Sequence, residues 1–281
     1  MELPEEKWSE RLRKIKPKVE RILYKGNCDL LLDKAPKLAV VGSRRMTDYG
    51  ARVIDKWMPS LVEKGVTIVS GFMYGVDQAA HKACLENGGK TIAVLGWGID
   101  RKVVDEDAVL YQKMIELDSL IVSEYEGEQE AELWMFPQRN RIVAGVADAV
   151  LVVEGAEKSG SLITARLAGK FGVPLLAVPG SVFSRVSSGT NNLIKEGKAV
   201  AVGSAQEVLA AMGIAKGQLA MKFDSKLPSN PVLAALDSGE KSVDELVRIL
   251  KMPVSEVMDL IFHLQLDDLI FEKAGKYFLA D

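Results

Sequence analysis

Leu38-Ala39-Val40-Val41-Gly42-Ser43-Arg44-Arg45 is a short apolar run that breaks off in a glycine, a serine and two arginines. Consecutive apolar residues with no polar alternation describe a strand covered on both faces, as in the interior of a parallel sheet. The pattern repeats. Thr67 to Val69, Thr91 to Leu95, Leu120 to Val122, Ala149 to Val153 and Leu175 to Val178 read the same way, and amphipathic windows such as Tyr49 to Lys64 and Val76 to Glu86 lie between them. Strand and helix in alternation predict an α/β fold with a doubly wound, mostly parallel sheet over residues 37–212.

Outside that stretch the pattern changes. Residues 1–36 interleave Lys and Glu around Pro17 and Leu30 to Leu32. They predict an N-terminal extension of one or two helices, too short for its own core. Residues 213–229 hold Gly, Lys, Ser and Pro228 with weak periodicity and read as a linker. Residues 230–281 predict three helices and a hairpin. Pro231 to Leu236 opens the first helix, and Ser242 with Glu245 is a capping box for the second. Val254 to Leu266 is the third, and Leu269 to Glu272 with Lys276 to Leu279 flank Ala274-Gly275. That is the layout of a small winged-helix-like domain.

Composition narrows the class. A chain of 281 residues, 48% apolar and 27% charged, is globular rather than fibrous or disordered. Cys28 and Cys84 are too few for a disulfide framework or a zinc site, and are expected as free thiols in a reducing compartment. Met1-Glu2-Leu3-Pro4-Glu5-Glu6 opens no secretory signal, and the most apolar window, Ile142 to Val153, is broken by Asp148. A soluble cytoplasmic protein without membrane contact is expected. Net charge is −3, but unevenly spread: residues 37–227 carry 22 Lys/Arg against 22 Asp/Glu, and residues 228–281 carry 5 against 10. A neutral middle does not advertise a polyanion partner, yet a few convergent cations vanish in such a sum.

In an open parallel sheet the ligand crevice lies beyond the carboxyl ends of the strands. The segments that follow the predicted strands are Gly42-Ser43-Arg44-Arg45, Ser70 to Asp77, Gly96-Trp97-Gly98, Ser123-Glu124-Tyr125, Glu154 to Ser161 and Pro179-Gly180-Ser181. They are rich in Gly and small polar residues. Glycine lets backbone approach a guest, and a helix N-terminus offers amides and partial positive charge, so the natural guest is an anion, most often phosphate. Ser159-Gly160-Ser161, before a helix over Leu162 to Phe171, is the strongest case, although a Gly-Ser turn is equally a plain capped loop. Arg44, Arg139 and Arg141 would add fork-shaped donors.

Standard phosphate enzymes are excluded. Gly42-Ser43-Arg44 lacks the dinucleotide Gly-x-Gly-x-x-Gly spacing, and no Gly-Lys-Ser/Thr loop, Gly-x-Ser-x-Gly elbow or His-Glu-x-x-His pair occurs. Only His81 and His263 supply imidazoles. His81 follows Asp77 by one helical turn, which fits a paired base but fits a surface or capping contact better.

Taken together the segments resemble the DNA processing protein A family (DprA, also called Smf). The residues that carry the likeness are Val41-Gly42-Ser43-Arg44, Ser70-Gly71 with Gly75-Val76-Asp77 and Ala80-His81, and Thr91 to Gly98. Further on they are Phe136-Pro137 with Arg139 to Gly145, Ser159 to Ala165, Val178-Pro179-Gly180, and Ser188-Gly189 with Asn191 to Ile194. The resemblance implies an extended Rossmann-like domain that binds single-stranded DNA in a basic pocket, dimerises, and delivers the strand to the recombinase RecA when transforming DNA is processed. It implies a pocket of Gly42, Ser43, Arg44, Arg139, Asn140, Ser159, Gly160 and Ser161, with Asn192 and Lys195 beside it, and no catalytic residue, metal or cofactor.

The sequence departs from many family members in having only about 36 residues before the sheet domain. The third helix of the tail would show Ser255, Glu256, Asp259 and His263 to solvent. Carboxylates there repel a DNA backbone, so the tail reads as a protein-contact or regulatory module. Glu124 to Glu132 forms an acidic loop expected to be solvated or to fence the DNA path. The alternative function is a nucleotide-binding or N-glycosidase-like enzyme using Asp77, His81 or Glu154.

Overall fold

The computed structural model describes residues 1–5, 8–214, 231–236, 239–266, 270–273 and 275–279. They divide into two compact units, Met1–Leu219 and Ala220–Asp281. The linker expected over 213–229 lies, beyond Ile214, outside the described residues.

The strands of the first unit are β1 (Leu23–Gly26), β2 (Lys37–Val41), β3 (Thr67–Ser70), β4 (Thr91–Val94), β5 (Leu120–Ser123), β6 (Ala149–Val152), β7 (Leu175–Ala177) and β8 (Val200–Ala201). They form one sheet in the order β1-β5-β4-β3-β2-β6-β7-β8, all parallel except β1, which pairs antiparallel with β5. The helices are α1 (Glu10–Lys14), α2 (Asp29–Leu32), α3 (Asp48–Glu63), α4 (Val76–Glu86), α5 (Asp105–Glu116), α6 (Met135–Val146), α7 (Ser161–Phe171), α8 (Ser188–Lys195) and α9 (Ala205–Ala211). This is the expected Rossmann-like architecture. Both alternations of β2 are buried because each meets a helical layer. Leu38 and Val40 join Ile54, Trp57 and Met58 of α3 and Ala80 and Cys84 of α4, whereas Ala39 and Val41 join Ile142 and Val143 of α6 and Ala165 of α7.

The first 36 residues differ from the expectation of helices alone. Two short helices are present, but β1 adds a strand to the sheet edge, and Leu3, Trp8, Leu12, Ile15, Val19 and Ile22 are each at most 4% exposed. They share a core with Ile142, Val143 and Val146 of α6. Leu23-Tyr24-Lys25-Gly26 is too short and too polar to stand out as a strand, and takes that form because β5 offers an open edge.

The second unit contains α10 (Pro231–Leu236), α11 (Val243–Leu250), α12 (Val254–Leu266), and the hairpin β9 (Ile270–Lys273) and β10 (Lys276–Leu279). The capping box is reciprocal: Ser242 Oγ accepts from the Glu245 amide at 3.3 Å, and Glu245 Oε2 accepts from the Ser242 amide at 2.8 Å. Val232, Leu236, Leu246, Val257, Ile261 and Tyr277 fill its core. The side chain of His263 lies outside the described residues. Among the described residues no helix is long and apolar enough to cross a membrane.

Candidate nucleic-acid interface

The chain lays β2 to β5 outward in succession, then returns through α6 to place β6 on the other side of β2. The loops leaving β2 and β6 therefore diverge in opposite directions, and a crevice opens between them. Here it is a cleft of about 640 Å³ lined by Gly42, Ser43, Arg44, Arg139, Asn140, Ser159, Gly160 and Ser161. Eight of the ten residues expected at the site thus share one cavity.

The β2 exit can approach this closely only as glycine. A Cβ on Gly42 would sit 2.6 Å from Val76 Cγ2 and 2.9 Å from the Glu154 carbonyl oxygen. Ser43 Oγ then accepts from the Arg45 amide at 3.0 Å, turning the chain so that Arg44 and Arg45 are both exposed. The Arg44 guanidinium lies 5.2 Å from the Phe136 ring centre and 5.8 Å from that of Tyr74. Held by its faces, a guanidinium keeps its edge N–H groups for acceptors.

Arg139 occupies the floor rather than the rim. It is 3% exposed, donates through Nη1 to the carbonyls of Gly71 and Val94, and donates from Nε to Asn140 Oδ1 at 3.1 Å. Burial lowers its pKa to about 10, with Asp77 acting the other way, so it remains a cation at neutral pH. Asp77 accepts from the Gly71 amide at 3.1 Å, and burial raises its pKa against the pull of Arg139. Its Nε and Nη1 groups are thus held by protein acceptors, and Arg139 lends the floor of the cleft its charge.

The start of α7 is partly capped from within. Ser159 Oγ accepts from the Ser161 amide at 3.3 Å and lies 2.8 Å from Ser161 Oγ, while the Leu162 and Ile163 amides donate to the carbonyls of Ser159 and Gly160. What α7 presents to the cleft is the positive end of its dipole and the exposed backbone of Gly160. Asn140 Nδ2 donates to the Gly160 carbonyl at 3.4 Å, tying α6 to this turn.

Several sequence expectations are corrected. Arg141 is not a rim donor: it is 2% exposed and forms a two-pronged pair with Glu124 at 2.5 and 2.7 Å, donating also to the carbonyls of Pro17 and Lys18. Asn192 and Lys195 are not among the residues lining the cleft; Asn192 donates to Glu157 at 3.1 Å, and Lys195 is exposed at the end of α8. His81 is fully buried instead of at the surface. Thr91 Oγ1 donates to the Ile68 carbonyl at 2.8 Å, so the 2.6 Å contact to His81 must use the imidazole Nδ1–H, and Nε2 carries no proton. Burial, assisted by Arg139, lowers the His81 pKa to about 3. Glu154 is buried and accepts from the Thr47 amide and hydroxyl at 2.8 and 2.6 Å.

Three cations join the cleft that were not singled out: Arg45, Lys158 and Arg185, all exposed. Arg45 and Lys158 adjoin residues already chosen. Arg185 follows β7 by eight residues and shows no local signal. Among the described residues, none of Arg44, Arg45, Lys158 and Arg185 forms an ion pair.

The model of the DNA recombination-mediator protein A family matches residues 2–213, and that of the DprA winged helix domain matches residues 223–276. The chain belongs to the DprA family. It is 46% identical over 189 residues to the DNA processing protein DprA of Streptococcus pneumoniae, covering 67% of this chain and 65% of that one. It is 36% identical over 251 residues to the protein Smf of Escherichia coli, covering 86% of this chain and 67% of that one. The match to the Smf protein of Synechocystis covers 44% of that protein's length, so the chain spans only part of some relatives. Among solved structures, the S. pneumoniae DprA superposes with a TM-score of 0.66 at 43% identity over 72% of this chain and 70% of that one. The DNA processing protein A of Helicobacter pylori, solved to describe its single-stranded DNA binding mode, gives 0.68 at 29% identity over 75% and 94%.

Proposed function

We propose that this DprA chain binds single-stranded DNA in the cleft between the β2 and β6 loops, mainly through backbone phosphates. The observation that carries the proposal is the convergence of Arg44, Arg45, Lys158 and Arg185 over a buried cationic floor, Arg139, with the positive end of α7 beside them. Against these the cleft lining holds one carboxylate, Asp77, which accepts from the Gly71 amide and lies in the field of Arg139. Phosphate recognition of this kind is sequence-tolerant and salt-sensitive. Gly42, Ser43, Asn140, Ser159, Gly160 and Ser161 shape the cleft, and the described contacts give none of them a catalytic role.

By kinship the protein acts as a cytoplasmic homodimer that protects incoming DNA and hands it to RecA. Residues 37–212 hold the strand, 1–36 brace the sheet, 213–229 connect, and 230–281 contact proteins. The competing enzyme reading loses support from the burial of its candidate groups: His81 faces Thr91, and Glu154 is held by Thr47.

Fluorescence anisotropy of a labelled unstructured oligonucleotide, titrated at several salt concentrations, tests the proposal. Binding that weakens with salt and with Arg44→Ala or Lys158→Ala is expected. Unchanged affinity in both variants, or release of free base from a nucleotide panel, overturns it.

A further inference from the structure

The turn that follows β7 carries its largest side chain into solvent. The Ser184 amide donates to the Ser181 carbonyl at 3.0 Å, so Val182 and Phe183 occupy the two corners, and they are 82% and 97% exposed. Corner positions draw on Gly, Pro, Asn, Asp and Ser for backbone reasons, and a valine followed by a phenylalanine serves none of them. The turn is also pinned. Before it, the Gly180 amide donates to Asn191 Oδ1 at 3.1 Å and Asn191 Nδ2 donates to the Gly180 carbonyl at 3.0 Å. Within it, Ser181 Oγ accepts from the Phe183 amide at 3.3 Å, and after it the Val186 carbonyl accepts from the Gly155 amide at 2.6 Å, in the loop leaving β6. A ring presented from a backbone held in this way loses little freedom when something settles on it.

The turn stands between two cavities of different character. Arg185 and Val186, just after it, line the DNA cleft. Ser181 and Ser184 line a neighbouring cavity of about 520 Å³ with Thr47, Tyr49, Pro179 and the buried Glu154, and no Lys or Arg joins them there. Phosphates therefore belong on the Arg185 side. Two residues span at most about 7 Å of chain, so Phe183 stands beside that cationic wall. From Lys158 through Lys195 the chain holds five Lys/Arg and no Asp or Glu, which favours an anionic partner. Phosphates are common to single and double strands, and contacts to them carry no base identity. Base faces are what differ, since a single strand offers them and a duplex stacks them away.

We infer that Phe183 is a stacking platform for a base of the strand whose phosphates lie along Arg185, and that this contact makes the protein favour single strands over duplexes. Stacking on an aromatic ring accepts any base, because every base has a π-face, so the platform adds affinity without adding sequence preference. This inference rests on DNA binding by the cleft.

The test uses the full chain and three labelled ligands of equal length, read by anisotropy: an unstructured oligonucleotide, an abasic strand with the same sugar-phosphate backbone, and a duplex. Phe183→Ala and Phe183→Leu are each expected to weaken binding of the intact strand by about fivefold to a hundredfold. Leucine keeps apolar bulk but has no aromatic face. Both variants should leave the abasic strand, the duplex and the salt dependence unchanged, and Phe183→Trp should bind the intact strand as the wild type does. Arg44→Ala, by contrast, should weaken the intact and abasic strands alike. Absence of any DNA binding by the wild type would overturn the cleft reading and the platform together. Intact-strand affinity that is unchanged in both Phe183→Ala and Phe183→Leu, beside a loss in Arg44→Ala, would overturn the platform alone. So would an equal loss for the intact and abasic strands in Phe183→Ala, or self-association or binding to phosphatidylglycerol vesicles that Phe183→Ala abolishes.

Discussion

Arg139 and Gly71 share one site: the guanidinium donates to the Gly71 carbonyl and fills the space in which a side chain on residue 71 would begin. Gly71→Ala therefore has to displace a buried cation whose Nη1 and Nε groups are also held by Val94 and Asn140. Overpacking of this kind costs about 1–3 kcal/mol. Arg139→Ala is expected to cost more, about 3–5 kcal/mol, because Asp77 is left buried without its counter-charge. Urea denaturation measures both. Wild-type stability in Arg139→Ala together with weakened DNA binding would return Arg139 to the contact surface.

Arg44 is the contrasting case, exposed and resting on Phe136 and Tyr74. Arg44→Ala should lower single-strand affinity by about 1–3 kcal/mol while shifting stability by no more than about 0.5 kcal/mol. The slope of log affinity against log salt should shrink by about 0.7 for each phosphate no longer neutralised. Titration at four salt concentrations, with a thermal melt alongside, separates the two effects.

Neither Asn192 nor Lys195 lines the cleft, despite sitting in a segment that resembles the family. Lys195→Ala and Asn192→Ala are expected to change affinity by less than about 0.5 kcal/mol. A tenfold loss in either would extend the DNA path beyond the cleft toward α8.

His81 makes stability depend on acid. Its folded pKa of about 3 lies below the ordinary 6.5, so the unfolded chain binds a proton between those values that the folded chain refuses. The stability due to neutral His81 is complete above pH 6.5 and is lost progressively as pH falls toward 3, a change on the order of a few kcal/mol. His81→Gln should flatten that part of the profile, as seen in urea midpoints between about pH 6.5 and 4. An unchanged profile would mean that other groups set the acid limit.

Arg141 joins three parts of the molecule, pairing with Glu124 and donating to the backbone of Pro17 and Lys18. Arg141→Met should strand the Glu124 carboxylate, itself 7% exposed at its side chain, at about 3–5 kcal/mol. Removing residues 1–26 should do more damage, since it strips Trp8, Leu12, Ile15, Val19 and Ile22 from α6. Loss of the soluble, folded species in size-exclusion chromatography is the expected outcome.

The parallel sheet was legible because β2 to β7 are short, mainly apolar runs buried on both alternations, the mark of strands with helical cover on both faces. The cleft was legible in outline for the same reason, since residues at carboxyl ends must gather where strand order reverses. Two things were hidden. Whether an arginine faces out or down depends on which carbonyls converge on it, and neither Gly71 nor Val94 is near Arg139 in sequence. The form of residues 1–36 depends on an edge created about a hundred residues later, so Leu23 to Gly26 carry no local mark of the strand they become.

That edge has a consequence for the order of events during synthesis. Trp8 to Gly26 are translated about a hundred residues ahead of the surfaces that hold them, β5 and α6. Closing such a distant contact is slow compared with forming a helix. This early segment is therefore among the last parts of its unit to find its place, and a nascent chain stalled before α6 would carry it unhoused.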